Sequence, residues 1–370
     1  MSRRLDKTVV RQKKGIRVHM FFLGDIAFPK GTPESISCTE KRFATSPVIA
    51  NLEGAILPED SSPQDDSLYN DRAVLSYLHK NNVRLVSLAN NHITDIDCSP
   101  KRTVHALQEH GILSCGAGDS LEEASRPVLL KDPEGETVFL GFGWSPIGCR
   151  VASQRTPGVN PLSHDSVLDG VERAKQIFPG RRIVLLMHWN YELEIYPQPM
   201  HRQMAHEAIR HGASAVIGCH SHCVQGIEMH LGNPIVYGLG NWYVPEGFVF
   251  GRNLKFPDFA LRQLAFEWVP SANRMNCHWY SYNRSIGSVE YEMSEALESS
   301  TRIRALTPFD SMTHGEYVRW FRKHRRKNIL LPVYGDAGSH VTNRLKDAWV
   351  RGRHILMSIA AATNLKGGLR

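Results

Sequence analysis

The sequence has no long apolar run. Across its 370 residues, every candidate for the roughly 18 consecutive apolar residues of a membrane span is interrupted by His, Arg or Asp, so no spanning helix is expected. The start is basic, with Arg3, Arg4, Lys7, Arg11, Lys13 and Lys14, as in a signal-peptide n-region. The following stretch Ile16–Phe28 carries Arg17, His19 and Asp25, too polar for an apolar signal core, and no cleaved secretion signal is expected. Cysteine is sparse and odd in number: Cys38, Cys98, Cys115, Cys149, Cys219, Cys223 and Cys277 include no C-x-x-C pair. That argues against a disulfide framework and for reduced thiols in a cytoplasmic protein. Cys219 and Cys223 flank two histidines, but small buried cysteines are common, and thiolate ligation is not the favoured reading. Repeats and low-complexity tracts are lacking as well. With 42% hydrophobic, 9% aromatic and 22% charged residues, what remains is an ordinary globular composition, enough for one large core and an appendage.

Charge is unevenly placed. The net charge is +7, yet residues 301–370 hold 14 Lys/Arg against 4 Asp/Glu, while the first 300 hold 30 against 33. A basic C-terminal region suits an anionic surface partner, an anionic polymer or simply solvent. Its run Arg322-Lys323-His324-Arg325-Arg326-Lys327 has no regularly interleaved aromatics and no reading motif, so nucleic acid is not the expected partner.

The first 250 residues alternate short β-rich apolar runs with stretches of helical spacing, which predicts an α/β fold. The runs are Val18–Leu23, Val48–Ala50, Val83–Leu88, Thr137–Phe142, Arg182–Met187, Ala215–Ile217 and Pro234–Tyr237. Helices are predicted at Leu68–Asn81, Ser99–His110, Asp165–Phe178 and His201–His211, with Gly111 and Gly212 as stop signals. Segments Gly31–Pro63 and Ser145–Ser163 read as long surface loops walling a cleft. Beyond Arg252 an antiparallel stretch, Phe259–Trp268 and Cys277–Tyr282, precedes tail helices around Thr313–Arg326 and Val341–Ala361. The expected organisation is a basic arm over 1–15, a main domain over 16–300 and a basic, mainly helical extension over 301–370.

Five of the predicted strands end in metal-capable residues: Asp25, Glu53, Asn90-Asn91-His92, His188, and His220-Ser221-His222. In open α/β sheets ligands bind at the carboxyl ends of strands, so sequence-distant residues can share one site. Each residue alone has a structural explanation, as a turn former or a satisfied core histidine. Five buried polar ends in succession, however, are costly without a compensating partner. Carboxylate, amide oxygen and imidazole together suit Mn²⁺, Fe²⁺ or Zn²⁺; three histidines argue against Mg²⁺ alone. The His-x-His spacing cannot aim both imidazoles to one face of a strand, but at a strand-to-turn transition they can reach adjacent metals or opposite sides of one metal, which favours a two-metal centre.

These elements, with Tyr196-Pro197-Gln198 through Gly212-Ala213, Gln225-Gly226-Ile227-Glu228 and Tyr237-Gly238-Leu239-Gly240-Asn241-Trp242, resemble the bacterial capsule-synthesis CapA family, the poly-γ-glutamate branch of the calcineurin-like metallophosphoesterase superfamily. The resemblance covers Val18 to Val244. It implies a metallophosphoesterase-like two-sheet sandwich, αββα in four layers. It also implies that Asp25 and His222 hold a first divalent transition-metal ion, Asn91, His188 and His220 a second, and that Glu53 bridges them. His92 is then the general acid and Asp95 its orienting carboxylate, while Trp189, Glu192 and Asn241 correspond to substrate-binding positions. The sequence departs from the superfamily at Ala27, where many members have a histidine, leaving the first metal an imidazole short. The implied activity is hydrolysis of a phosphoester or of a γ-glutamyl or other carboxyl-derived bond by a dinuclear-metal-bound hydroxide, on an anionic small molecule or polymer in capsule or exopolymer biosynthesis. The alternative is a metal-stabilised assembly or export factor for an anionic polymer, without turnover.

Overall fold

The computed structural model describes residues 19–32, 41–59, 67–96, 99–132, 135–327 and 330–362; the basic arm at 1–15, Cys38 and Cys98 lie outside the described residues. The chain runs through β1 (Met20–Ile26), β2 (Val48–Leu52), α1 (Ala73–Lys80), β3 (Val83–Ser87), α2 (Lys101–Glu109), β4 (Leu113–Cys115), β5 (Val128–Asp132), β6 (Gly135–Gly143), α3 (His164–Ile177), β7 (Arg182–His188), α4 (Pro199–Arg210) and β8 (Ala215–Cys219). It continues with β9 (Ile227–His230), β10 (Asn233–Val236), β11 (Asn241–Tyr243), β12 (Arg262–Val269), β13 (Arg274–Asn283) and β14 (Ser288–Ala296), then helices α5 (Thr301–Leu306), α6 (His314–His324) and α7 (His340–Ala362).

The first sheet has the order β14-β13-β12-β1-β2-β3-β4, with β11 also beside β1; the second has the order β9-β10-β8-β7-β6-β5. β1 to β4 run parallel, as do β6, β7, β8 and β10. Within each sheet the carboxyl ends of these strands therefore share one edge, where the metal-capable residues lie.

Strand periodicity explains the layers. Phe22, Ile49 and Leu85 face inward and pack on Phe139, Val184, Leu186 and Ile217 of the second sheet. Their neighbours along the strands, Phe21, Leu23, Val48, Ala50 and Val86, face outward onto Val74, Leu75 and Leu78 of α1 and Leu107 of α2. On the far side Leu140, Ile183, Leu185 and Met187 meet Val167 and Val171 of α3, Met204 and Ala208 of α4, and Tyr317 and Phe321 of α6. Alternate side chains point to opposite faces, so the central strands are buried twice over, each fully buried Leu or Ile contributing roughly 1.5–3 kcal/mol. This is the expected four-layer αββα sandwich. Among the described residues no helix is long and apolar enough to cross a membrane.

Three local expectations differ. The helix predicted from Leu68 begins only at Ala73, because Tyr69–Asn70 pairs with Ala55–Ile56. Asn70 pins that stretch, accepting from Phe28 N–H at 2.8 Å and donating to the Glu53 carbonyl at 2.8 Å. The supposed surface loop Ser145–Ser163 buries Cys149, Val159 and Leu162, and its Gly158–Val159 pairs with Ala117–Gly118; the other, Gly31–Pro63, lies partly outside the described residues. Finally, β14 is an edge strand that the sequence pattern did not announce, since most of its side chains are exposed on both faces.

Candidate metal centre

Backbone geometry brings the strand ends together. The register of β1 with β2 sets Asp25 beside Asn51, and β11 on the other side sets Asp25 beside Asn241. Gly24 makes this possible: a Cβ there would lie 1.7 Å from the Gly240 carbonyl oxygen, so only glycine lets β1 close against the segment before β11. After β8 the chain turns with left-handed backbone at both His220 (φ 86°) and His222 (φ 53°). Such conformations are costly for non-glycine residues and recur at functional sites. Here they turn two alternate imidazoles toward one centre, which a regular strand could not do.

Glu53, His188 and His220 form the tightest group: all are buried, and one ligand-capable atom from each lies within 4.8 Å of the others. His188 Nε2 is 2.8 Å from Asn91 Oδ1 and 3.6 Å from Glu53 Oε1. Glu53 Oε1, His188 Nδ1 and His220 Nδ1 are buried with no hydrogen-bond partner among the described residues. Each such atom costs about 1–3 kcal/mol. A carboxylate and two imidazoles left in this state at one place fit a divalent transition-metal ion.

The adjoining group satisfies itself. Asp25 Oδ2 lies 3.3 Å from His222 Nδ1 and accepts the His220 backbone N–H at 3.2 Å. His222 Nδ1 also lies 2.8 Å from Asn241 Oδ1. Asn51 links the two groups, its Nδ2 donating to Asp25 Oδ1 at 2.8 Å and to Glu53 Oε2 at 2.6 Å.

Charge follows this division. Burial, then the neighbouring Asp25 charge, push the Glu53 carboxyl well above its ordinary range. Burial lowers His188 to about 3 and, helped by repulsion from His188, takes His220 well below its ordinary value. Both imidazoles are thus neutral, the form that ligates. Burial also opposes charge on His222 and Asp25, but their mutual hydrogen bond and attraction win, raising His222 to about 10 and lowering Asp25. Cys219 is held as the thiol by burial, then by the Asp25 and Glu53 charges, which disfavours thiolate ligation.

Of the remaining expected residues, His92 and Asp95 form a dyad, with Nδ1 to Oδ2 at 2.6 Å, and His92 Nε2 faces Glu53 Oε1 at 4.0 Å. Asn241 reaches the centre as a partner of His222. Glu192 is exposed, and its charge is felt at Glu53 and His222, which sets it at the rim. Trp189 does not join the cluster. One residue beyond His188, it turns to the other face, stacks on His201 at 5.0 Å and donates its indole N–H to the Tyr237 carbonyl at 2.9 Å.

Two residues escaped the sequence reading. Asn51 stands two positions before Glu53, the strand spacing that puts both on one side, and that was the signal available. Glu194 gave none. Its buried carboxylate accepts the backbone N–H groups of Arg326 and Lys327, each at 2.9 Å, and its carbonyl accepts from Gln225 Nε2 at 2.6 Å. It ties the loop after β7 and the turn after His222 to the segment that follows α6. Asn90 is a brace, donating to the Leu52 carbonyl at 2.7 Å while its Oδ1 accepts from Gly54 and His92 N–H.

Residues 20–246 match the family described as bacterial capsule synthesis protein PGA_cap. The PGA biosynthesis protein CapA of Bacillus subtilis (strain 168) is 25% identical over 258 residues, covering 65% of this chain and 67% of that protein. The capsule biosynthesis protein CapA of Bacillus anthracis is 23% identical, covering 68% and 66%. A probable polyglutamine synthesis accessory protein of Mycobacterium tuberculosis (strain CDC 1551 / Oshkosh) is 31% identical, covering 54% and 55%. The match therefore spans about two thirds of the Bacillus relatives and about half of the mycobacterial one. Among solved structures, a 5'-nucleotidase precursor from Thermus thermophilus covers 75% of this chain and 53% of that chain at 12% identity and a TM-score of 0.35. A Haemophilus influenzae NAD nucleotidase gives 75%, 53%, 10% and 0.36. Likenesses that distant carry no argument about chemistry.

Proposed function

Because the chain belongs to the bacterial capsule synthesis protein family PGA_cap, we propose that the strand-end cluster is the active centre of a metal-dependent hydrolase. The substrate is an anionic one, joined by a phosphoester or by a γ-glutamyl or other carboxyl-derived bond, in the making of a capsule or related polymer. The observation that carries this reading is the buried convergence of Glu53, His188 and His220, each of which also keeps one polar atom without a partner among the described residues. Asn91 belongs with that group, Asp25 and His222 with a second position, and Glu53 lies between them. Two bound divalent transition-metal ions, Mn, Fe or Zn, would supply Lewis acidity and a water acidified toward neutrality.

The protein's own groups account for the rest. Asp95 holds the His92 ring by Nδ1 and leaves Nε2 facing the cluster, the arrangement of a general acid that protonates a leaving group. Asn51 holds the Asp25 and Glu53 carboxylates at a fixed separation. Asn241 fixes the His222 ring, and exposed Glu192 takes a substrate-positioning place. A scaffold without turnover has no use for an acid dyad beside the cluster, which favours the catalytic reading.

The test is metal content by elemental analysis of wild type and His220→Ala, with turnover of an aryl phosphodiester on the same samples. Close to two ions per wild-type chain, falling in the variant together with turnover, is the expected result. Bound metal without phosphodiester turnover moves the substrate to amide or thioester bonds. No metal after reconstitution with Mn²⁺, Fe²⁺ or Zn²⁺ overturns the hydrolase reading in favour of the scaffold.

A further inference from the structure

An ordinary surface helix turns its apolar stripe to the core and its charges to water; α7 also leaves a line of apolar side chains in solvent. Its inner side is fixed by Val350, fully buried, by Asp347 Oδ1 accepting the Tyr334 hydroxyl at 2.8 Å, and by Asn343 Nδ2 donating to the Asp336 carbonyl at 2.9 Å. The opposite side carries Val341, Leu345, Trp349 and Leu356 at spacings of four, four and seven residues, so they stack in one line. They are 74%, 69%, 57% and 69% exposed, and Ile355 beside them is 62% exposed. Trp349 also holds the neighbouring turn, donating to the carbonyl of exposed Leu330 at 2.8 Å. An outward apolar surface of this kind marks a binding face.

The flanks identify what it binds. Arg344 and Arg351 are exposed along one border of the stripe, and Arg322 and Lys323 are exposed at the end of α6; none forms an ion pair with an acid among the described residues. Arg322 is close enough to lower the Lys346 ammonium pKa, burial being the larger cause, so the two cationic groups adjoin. The one acid within the described side chains of α7, Asp347, faces inward. A second copy of the chain laid stripe to stripe would bring these cationic borders together, which repulsion opposes.

We propose that the outward face of α7 docks on an anionic phospholipid surface, its Val341–Leu356 stripe entering the headgroup–acyl boundary while Arg344, Arg351, Arg322 and Lys323 meet the phosphates. The docking is peripheral and independent of the metal centre. It leaves the strand-end site active on a small substrate with or without lipid.

The experiment is co-sedimentation of the full-length chain with phosphatidylcholine vesicles, with and without phosphatidylglycerol, accompanied by tryptophan fluorescence. Trp349 is the tryptophan most open to solvent among the described residues, so its emission should shift to the blue and lose iodide quenching. Binding is expected only with the anionic lipid, weakening as salt rises, and falling roughly tenfold or more in Leu345→Glu/Leu356→Glu. Arg344→Glu/Arg351→Glu, which leaves the apolar line intact, should weaken it comparably. Circular dichroism melts confirm that both variants fold. Equal binding to neutral vesicles, or binding unmoved by both variants, overturns the proposal. So does an absence of vesicle binding alongside a concentration-dependent dimer that Leu345→Glu/Leu356→Glu abolishes, which would give the face to self-association.

Discussion

The two halves of the candidate centre are built from similar residues and behave oppositely. Glu53, His188 and His220 each keep one buried polar atom without a partner among the described residues, and both imidazoles are neutral; Asp25 and His222 are charged and already paired, with Asn51 and Asn241 completing their hydrogen bonds. A cation entering the first half relieves an existing cost. A cation entering the second must displace a proton and a buried ion pair whose attraction is strong at low dielectric. The lesson is that ligand identity does not set affinity by itself: what the ligands do when empty-handed matters as much. Beside the second half, Ala27 is buried among Leu57, Leu68 and Phe256 and offers no imidazole.

The sharpest way to break the comparison is Glu53→Gln, since this carboxyl belongs to the first half and is tied to the second through Asn51. Both ions should be lost and turnover should fall by roughly 10³-fold or more, read as metal stoichiometry together with kcat. Next is His92→Asn, expected to slow turnover by about 10²–10⁴-fold while both ions stay bound; loss of metal along with rate would assign His92 to the centre instead of to proton transfer. A metal titration of His188→Ala beside His222→Ala tests the asymmetry itself. The first variant should remove the tighter step, and the second should shift only the weaker one, by roughly 10–100-fold.

The smallest effect is a comparison outside the site. Glu267 is paired as Asp25 is, with His278, Asn276 and His19; burial raises its pKa, but those hydrogen bonds outweigh burial and bring it to about 2. A depressed carboxyl stabilises the fold fully above its unfolded value of about 4.5, and the contribution is lost as pH falls toward 2. Partial exposure screens the pair, so about 1–2 kcal/mol is expected. The fall in Tm between pH 5 and 2 should be shallower in Glu267→Gln, within roughly that range.

Most of the frame was legible because strand ends and helix stops are local. The apolar runs Val83–Leu88 and Arg182–Met187 correspond to β3 and β7, and the helical spacing over Asp165–Phe178 to α3. The convergence of Asp25, Glu53, His188 and His220 was legible because each stands at or just beyond the carboxyl end of a parallel strand, and such ends share one edge. What was not legible depends on tertiary neighbours. Trp189 was placed at the site by the family resemblance, yet alternation turned it to the helix layer. Asn51 reads as any strand-end amide until the two carboxylates that flank it in space are known. Glu194 could not be read at all, since what its carboxylate ties down is the backbone of Arg326 and Lys327, more than a hundred residues away.

The order in which the chain supplies its ligands has a consequence for assembly. Asp25, Glu53 and Asn91 lie in the first 91 residues, His188 to His222 follow about a hundred later, and Asn241 and β12 come after that. Synthesis proceeds from the amino end, and contacts so distant in sequence form late. A nascent chain that has laid down only β1 to β3 offers two carboxylates and an amide, a weak and unselective trap for hard cations. The imidazoles of His188 and His220 arrive only with the second sheet, so their cluster with Glu53 is complete only once both sheets have met.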